Sequence, residues 1–161
     1  MKINLIIILF FSFLIACNEG LAPSEKEQKT SINGIVHYIN GKNNWPPTDS
    51  CFAVRIVAFK NYPPQNIIQE LTEENAYFTL NSLPLFVDSS DFSLEIKNAP
   101  VELKYIVAAL QYTKDLTSQK VIGVWSLNEN KFEPSSIVIE RGKSYSININ
   151  VDFSELPPQP F

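Results

Sequence analysis

Few side chains in this sequence could support catalysis, and they are scattered. The one histidine, His37, lies in GIVHYIN, a stretch typical of a β-strand. Hydrolysis by a Ser-His-Asp arrangement also needs a nucleophile, and the G-x-S-x-G motif that presents one on a sharp turn is absent. We therefore expect His37 to be a solvent-facing strand residue rather than a general base.

Two acidic pairs could bring carboxylates together. Glu73 and Glu74 are adjacent in LTEEN, and Asp88 and Asp91 flank two serines in FVDSSDF. Glycosidases need two carboxyl groups about 5 to 9 Å apart across a cleft, and nothing here selects one pair for that task. The second pair lacks the alternating oxygen ligands and turn glycine of a calcium loop, so a turn capped by Asp and Ser side chains is favoured. We expect no catalytic residue and no enzymatic activity.

The two cysteines, Cys17 and Cys51, offer neither a disulfide framework nor a metal site. Cys17 is a candidate for lipidation, which would leave Cys51 without a partner in the chain. One histidine and one free cysteine cannot coordinate zinc, so we predict no metal and no cofactor. Cys51 opens the apolar run CFAVRIVAF and is expected to be a small buried residue.

Arg55 interrupts that apolar run. If Val54, Ile56 and Ala58 face the core, Arg55 points outward. Pairing with a carboxylate on a neighbouring strand is then the favoured interpretation, and binding of an anionic ligand is the alternative.

Pro-Pro pairs beside large apolar residues are the remaining candidates for binding. Trp45 lies in NGKNNWPPTDS, Tyr62 precedes a second pair in NYPP, and a third pair closes the chain in LPPQPF. A strand over residues 51–59 would span about 30 Å, so Trp45 and Tyr62 should lie at opposite ends of the domain. Proline stops strand pairing and protects edges, which favours a structural role in which the aromatic rings cover the ends of the core.

Trp45 is nevertheless the residue best suited to hold a ligand. It lies in the longest polar loop beside Asn43 and Asn44, and an exposed Trp next to amides can stack on a sugar ring. With Tyr62, these residues form the candidate ligand-binding set. Trp125, in VIGVWSL, is expected in the core instead.

The N-terminal segment predicts export and attachment to a membrane. Lys2 precedes an apolar run over residues 3–16, which is shorter than the roughly 20 residues of a transmembrane helix, so residues 1–16 are interpreted as a signal peptide. The sequence LIAC that ends at Cys17 resembles the bacterial lipobox. That resemblance implies that Cys17 carries a diacylglyceryl group and becomes the first residue of the mature protein.

The cleavage site and the final membrane leaflet remain open at this segment. An ordinary signal peptide could be cut elsewhere, with Cys17 incidental. By resemblance to Gram-negative lipoproteins, the absence of Asp after Cys17 implies passage to the outer membrane, in either leaflet.

The rest of the chain divides into a tether, one domain and a tail. Residues 17–30 are polar and charged and predict a flexible tether that begins at lipidated Cys17. Residues 31–154 form a domain of ordinary size, and residues 155–161 a Pro-rich tail. The net charge is −4 with both signs interspersed, which argues against nucleic-acid binding.

Short strands separated by turn residues dominate the domain. SYSININVDF alternates strictly, which predicts a half-buried strand with Tyr145 to Phe153 inward, and we expect a hairpin with residues 136–140. DFSLEIK alternates likewise; SINGIVHYI, CFAVRIVAF, AYFTL, ELKYIVAALQY and QKVIGVWSL supply further strands. CFAVRIVAF and ELKYIVAALQY are nearly continuous and therefore central, and PQNIIQELTEEN predicts one helical turn. Seven or eight such strands predict a single antiparallel β-sandwich.

INGIVHY, ELKYIVAALQY and RGKSYSININVDF resemble transthyretin-like, or carboxypeptidase-regulatory-like, sandwich domains, which open with a G-x-V strand. WPPTDS, VRIVAFKNYPP and VDFSELPPQPF resemble a group of bacterial lipoproteins of that kind. The resemblance implies an accessory, adhesive or scaffold module and transfers no functional residues. We therefore expect a membrane-anchored envelope lipoprotein whose non-catalytic sandwich is a scaffold or interaction module, with an envelope protein or a glycan as partner. Binding of a carbohydrate or small ligand around Trp45 is the alternative.

Overall fold

The computed structural model describes residues 29–160, which form an all-β fold with one short helix. Cys17, the predicted signal peptide and most of the predicted tether lie outside the described residues. Within the described part, no helix has the length and apolar character needed to cross a membrane.

Nine strands follow one another in this part of the chain. They are β1 Ser31–Tyr38, β2 Ala53–Phe59, β3 Ala76–Phe78, β4 Ser89–Glu95, β5 Val101–Leu103, β6 Tyr105–Gln111, β7 Gln119–Val124, β8 Ile137–Ile139 and β9 Ser144–Val151. Helix α1, Ile67–Thr72, connects β2 to β3 and confirms the predicted helical turn. Two 3-10 turns, Gly41–Asn44 and Thr48–Ser50, lie between β1 and β2.

Two sheets form the β-sandwich that the strand pattern predicts. The three-stranded sheet has the order β4-β1-β9, the four-stranded sheet has the order β3-β2-β6-β7, and β5 pairs with β8 apart from both. The core lies between the two sheets, where Ile32, Val36, Val54, Ile56 and Ile149 are fully buried. Burial of apolar surface between the sheets is the main force holding them together.

Alternation along β9 is confirmed, but its predicted partner is wrong. Ile147, Ile149 and Val151 are buried while the residues between them are exposed. The expected hairpin does not form, because β8 pairs with β5 and β9 runs parallel to β1. Gly34 of β1 permits this pairing, since a Cβ there would lie 1.7 Å from the carbonyl oxygen of Ile147.

Strands β2 and β6 are central, as their nearly continuous apolar sequences predict. Both faces of this sheet are buried, which is typical of such runs. The outer-face cluster consists of Val57, Phe59, Tyr105, Val107, Ala109, Val121 and Val124.

The prediction that Arg55 pairs with a carboxylate is wrong. Its Nη1 donates to Oε1 of Gln111 at 3.1 Å. The reason lies in the neighbouring strand: Arg55 is opposite Ala109, and β6 contains no acidic residue.

Three further expectations are confirmed. His37 is exposed on β1, and both Cys51 and Trp125 are buried in the core. The predicted strand over residues 102–112 is instead two strands, because β5 and β6 separate at Lys104 and join different sheets.

Candidate functional site

Trp45 closes one end of the core and does not present a free face. Its ring centroid lies 4.4 Å from that of Tyr38, 5.2 Å from that of Phe86 and 4.9 Å from that of Phe153. Its Nε1 donates to the carbonyl oxygen of Val87 at 3.0 Å. The premise of an exposed sugar-stacking Trp is therefore wrong, and the alternative role as a cover over the core fits the structure.

The other candidate residues do not converge on Trp45. Asn43 is exposed, and Asn44 donates through Nδ2 to the carbonyl oxygen of Ile39 at 3.3 Å. Tyr62 packs instead at the far end of β2, where its ring centroid lies 5.0 Å from that of Tyr105. The prediction that Trp45 and Tyr62 occupy opposite ends is confirmed.

The loop that carries Tyr62 is held by a buried carboxylate. Glu70 is only 4% exposed and accepts from Nδ2 of Asn61 at 3.2 Å and from the amide of Gln65 at 3.4 Å. Asn66 caps the same helix by accepting from two backbone amides. The bonds to Glu70 hold both residues that flank Tyr62-Pro63-Pro64, which fits the structural interpretation of the second Pro-Pro pair. The N-cap followed by an acidic residue was the sequence signal that could have identified Glu70.

Asp88 and Glu74, one residue from each acidic pair, bond to different segments, while Asp91 lies in β4. The Asp88 carboxylate accepts from the amide of Lys42 at 2.8 Å, so it caps the turn at residues 41–44 rather than its own. Glu74 accepts from Nδ2 of Asn98 at 3.3 Å. In residues 29–160, no three His, Cys, Asp or Glu side chains gather as a metal site would require.

A cleft of about 420 Å³ opens at the Trp45 end, between the loop at residues 46–50 and the C-terminal tail. We name it the proline cleft because the first and third Pro-Pro motifs meet there. It is lined by Pro46, Asp49, Ser50, Leu110, Tyr112, Thr113, Lys120, Ile122, Phe153 and Leu156. Sequence reasoning did not bring these two motifs together, because the path of the tail depends on long-range contacts.

The tail is fixed beside this cleft by one glutamine. The side-chain amide of Gln159 accepts from the amide of Val121 at 2.8 Å and donates to the carbonyl oxygen of the same residue at 3.1 Å. Gln159 thereby occupies the free edge of β7 as a neighbouring strand would. At the start of the tail, hydrogen bonds from the hydroxyl and amide of Ser154 hold the pKa of Asp152 below its usual range.

A larger concavity of about 900 Å³ runs between β3 and β4, each an edge strand of its sheet. We name it the edge groove. The bonds from Thr79 N to Ile56 O and from Lys60 N to Asn75 O direct the odd-numbered residues of β3 toward β2. By the alternation of an antiparallel ladder, the peptide group of Phe78 therefore faces away from β2, on the groove side, and Leu80 follows two residues after the end of β3.

Apolar and charged side chains are mixed along the edge groove. Phe78 is 43% exposed and Leu80 is 82% exposed. The hydroxyl of Tyr77 is buried without a hydrogen-bond partner in the described chain, and burial raises the pKa of Tyr77. The charged lining residues are Lys29, Glu74, Asp91, Glu95 and Lys97.

Comparison of the chain with protein-family models, curated proteins and solved structures found no match. The proline cleft and the edge groove are therefore judged on their own geometry. The cleft could hold a small molecule, and the groove could hold an extended segment of chain.

Proposed function

We propose that this chain is a membrane-anchored lipoprotein of a bacterial cell envelope, and that its transthyretin-like sandwich is a non-catalytic interaction module. The lipobox-like LIAC after a short apolar run supports the anchor at Cys17. The edge groove carries the interaction role. The hydrogen bonds that Asp88 and Glu74 accept from separate segments, and the exposed position of His37, support a role without catalysis.

The partner that suits the edge groove is an extended peptide segment of another envelope protein. Such a segment adds to a sheet edge through backbone hydrogen bonds, while alternate side chains enter neighbouring pockets. β3 offers that edge at Phe78, with Leu80 just beyond its end, and AYFTL contains neither the charge nor the proline that usually protects an edge strand. Tyr77 and Leu83 line the groove where alternate side chains would enter.

The charged side chains along the edge groove limit which peptide segments would bind there. The groove is lined by three carboxylates and two ammonium groups, so neither sign dominates. A segment with alternating apolar residues and balanced or slightly positive charge is therefore preferred over a strongly acidic one.

Leu80→Asp tests this role against a matched control. Peptides would be selected from a displayed random library against the full chain in detergent, and their affinities measured for each variant. Leu80→Asp should weaken binding about tenfold or more, about 1.4 kcal/mol, because it places a charge at the apolar rim. Leu127→Asp should bind as the wild type does, since Leu127 is similarly exposed at 77% but lies outside the groove.

Equal binding by the wild type and Leu80→Asp would refute the groove as the binding surface. Selected peptides that correspond to residues 18–28 of this chain would instead favour occupation by its own N-terminal segment.

The anchor has its own test in intact cells. Cys17→Ala should move the protein from the membrane to the soluble fraction, because several acyl chains are needed for firm attachment. Protease treatment of whole cells then reports which way the domain faces. Unchanged membrane association of Cys17→Ala would show that the lipid assignment is wrong.

A second function, binding of a carbohydrate or another small ligand, is favoured by the proline cleft. Its volume of about 420 Å³ falls in the range of roughly 300–1,000 Å³ for small-molecule sites, and it combines an apolar floor with polar groups at its mouth. Saturation-transfer NMR with saccharides and small metabolites should give signals that Tyr112→Ala abolishes. Tyr62→Ala should leave them, since Tyr62 lies at the other end of the sandwich; the reverse pattern would exclude the cleft.

A further inference from the structure

We infer that the proline cleft binds a small apolar zwitterion, that is, an amino acid or a short peptide with free termini. This inference rests on the second candidate function, because it names the ligand class for the same cleft. It is independent of the edge groove, which lies between β3 and β4.

Two opposite charges line the cleft from different walls without neutralising each other. Asp49 belongs to the loop wall and Lys120 to β7. The ion pairs among residues 29–160 join Lys104 to Glu102, Lys131 to Glu155, and Lys143 to Glu140, so neither cleft residue takes part in one. A ligand with one ammonium and one carboxylate group would complement both charges.

Both charged groups stand on ordered elements. Asp49 lies in the 3-10 turn Thr48–Ser50, where the amide of Ser50 donates to the carbonyl oxygen of Pro47 at 2.9 Å. Nζ of Lys120 lies 5.6 Å from the ring centroid of Tyr112, which favours a defined position for the ammonium. The backbone of the Asp49 turn and the contact of Lys120 with Tyr112 therefore restrict where the two charges can lie.

The remaining lining determines the body of the ligand. Leu110 and Ile122 are buried core residues that form an apolar floor, with Pro46 and Leu156 beside them. An aliphatic side chain would bury its surface there, while a saccharide would place some hydroxyl groups against Leu110 and Ile122, whose side chains cannot bond them. A lone anion or cation would complement one of the two charges and leave the other without a partner. The expected order of affinity is therefore zwitterion, then singly charged analogue, then neutral saccharide.

Titration calorimetry on the full chain in detergent tests this order with defined probes. The probes are leucine, leucyl-leucine, N-acetyl-leucyl-leucine, which lacks the ammonium, leucyl-leucinamide, which lacks the carboxylate, and N-acetylglucosamine. We expect leucine or leucyl-leucine to bind most tightly. Each blocked dipeptide should lose about tenfold or more relative to leucyl-leucine, because charge-assisted hydrogen bonds are the strong ones.

Two variants test which charged residue of the cleft binds which end of the ligand. Asp49→Asn should remove the difference between leucyl-leucine and its N-acetyl form, and Lys120→Gln should remove the difference between leucyl-leucine and its amide. Glu129→Gln and Lys114→Gln are matched controls, since both residues are exposed and lie outside the cleft, and they should preserve both differences.

Equal binding of free and blocked dipeptides would overturn the inference. Binding of N-acetylglucosamine alone would also overturn it while leaving a small-ligand function in place. Absence of binding by every probe at millimolar concentration would refute both the inference and small-ligand binding in the cleft, with no bearing on the edge groove.

Discussion

The two long sides of the sandwich differ in whether their edge strands are covered. On the closed side, β7 of the four-stranded sheet packs against β9 of the three-stranded sheet. Gly123 lets them approach, and Gln159 covers the backbone of Val121. On the open side, β3 and β4 do not pair, and Phe78 and Leu80 line the edge groove between them.

This difference separates residues that stabilise the fold from residues that are available to a partner. An uncovered edge is a hazard for a soluble domain, and proteins usually protect it by charge, proline or an added segment. The chain uses an added segment on the closed side and none of these devices along β3. We base the proposed binding role of the open side on this contrast.

The largest expected effect is on the closed side. In Gly123→Val, the added Cβ would lie 2.7 Å from the carbonyl oxygen of Asn150 and within 2.9 Å of the side chains of Ile149 and Val151. The sheets must separate to accept it, so urea unfolding should show a loss of about 3 kcal/mol.

Ser93→Val on β4 is the open-side counterpart. Ser93 is exposed, so this variant should stay within about 0.5 kcal/mol of the wild type. Similar losses in the two variants would remove the energetic distinction between the sides.

Gln159→Ala should have a smaller effect. It removes the two hydrogen bonds to Val121, each worth about 0.5–1.5 kcal/mol, and returns β7 to an uncovered edge. We expect a loss of about 1–2 kcal/mol and faster hydrogen exchange of the Val121 amide.

Gln69→Ala is the matched control, because the side-chain amide of Gln69 donates to the Glu73 carboxylate on an exposed helix surface. It should cost no more than about 0.5 kcal/mol. If exchange at Val121 were the same in wild type and Gln159→Ala, the tail would not protect β7.

The smallest expected effect is that of lowering the pH on the C-terminal tail. Hydrogen bonds from Ser154 lower the folded-state pKa of Asp152, so this contribution is present above the unfolded pKa of about 3.9 and is lost as the pH falls through the folded value. Acid should therefore loosen the start of the tail and slightly lower the protection of the Val121 amide, measured as its exchange rate relative to the intrinsic rate at the same pH.

Asp152→Asn should weaken that acid dependence. Asp115→Asn should not, although hydrogen bonds from Thr117 also lower the pKa of Asp115, because this residue lies in the loop between β6 and β7. If acid changed the Val121 amide equally in both variants, ionisation of Asp152 would not be what holds the start of the tail.

Local patterns predicted the strands well. Phe92, Leu94 and Ile96 alternate toward the core, and β2 and β6 are central, because period and apolar content are properties of short segments. The same reasoning failed for β9, whose parallel partner β1 comes from the other end of the chain. A turn signal at Gly142 could not reveal that pairing.

The candidate site was predicted only in part. The separation of Trp45 from Tyr62 followed from strand length, but the burial of Trp45 against Tyr38 and Phe153 depends on three segments meeting. The bonds of Gln159 to Val121 and the position of Lys120 in the proline cleft likewise depend on tertiary contacts that no sequence motif reveals. The lipidation of Cys17 and the envelope location stay predictions.

Residue-resolved hydrogen exchange of the full chain, alone and with a selected peptide, would compare the two sides in one experiment. We predict slow exchange at Val121 in both states, and fast exchange at Phe78 and Leu80 that the peptide slows. Protection elsewhere, with Phe78 and Leu80 unchanged by the peptide, would contradict the assignment of the open side as the interaction surface.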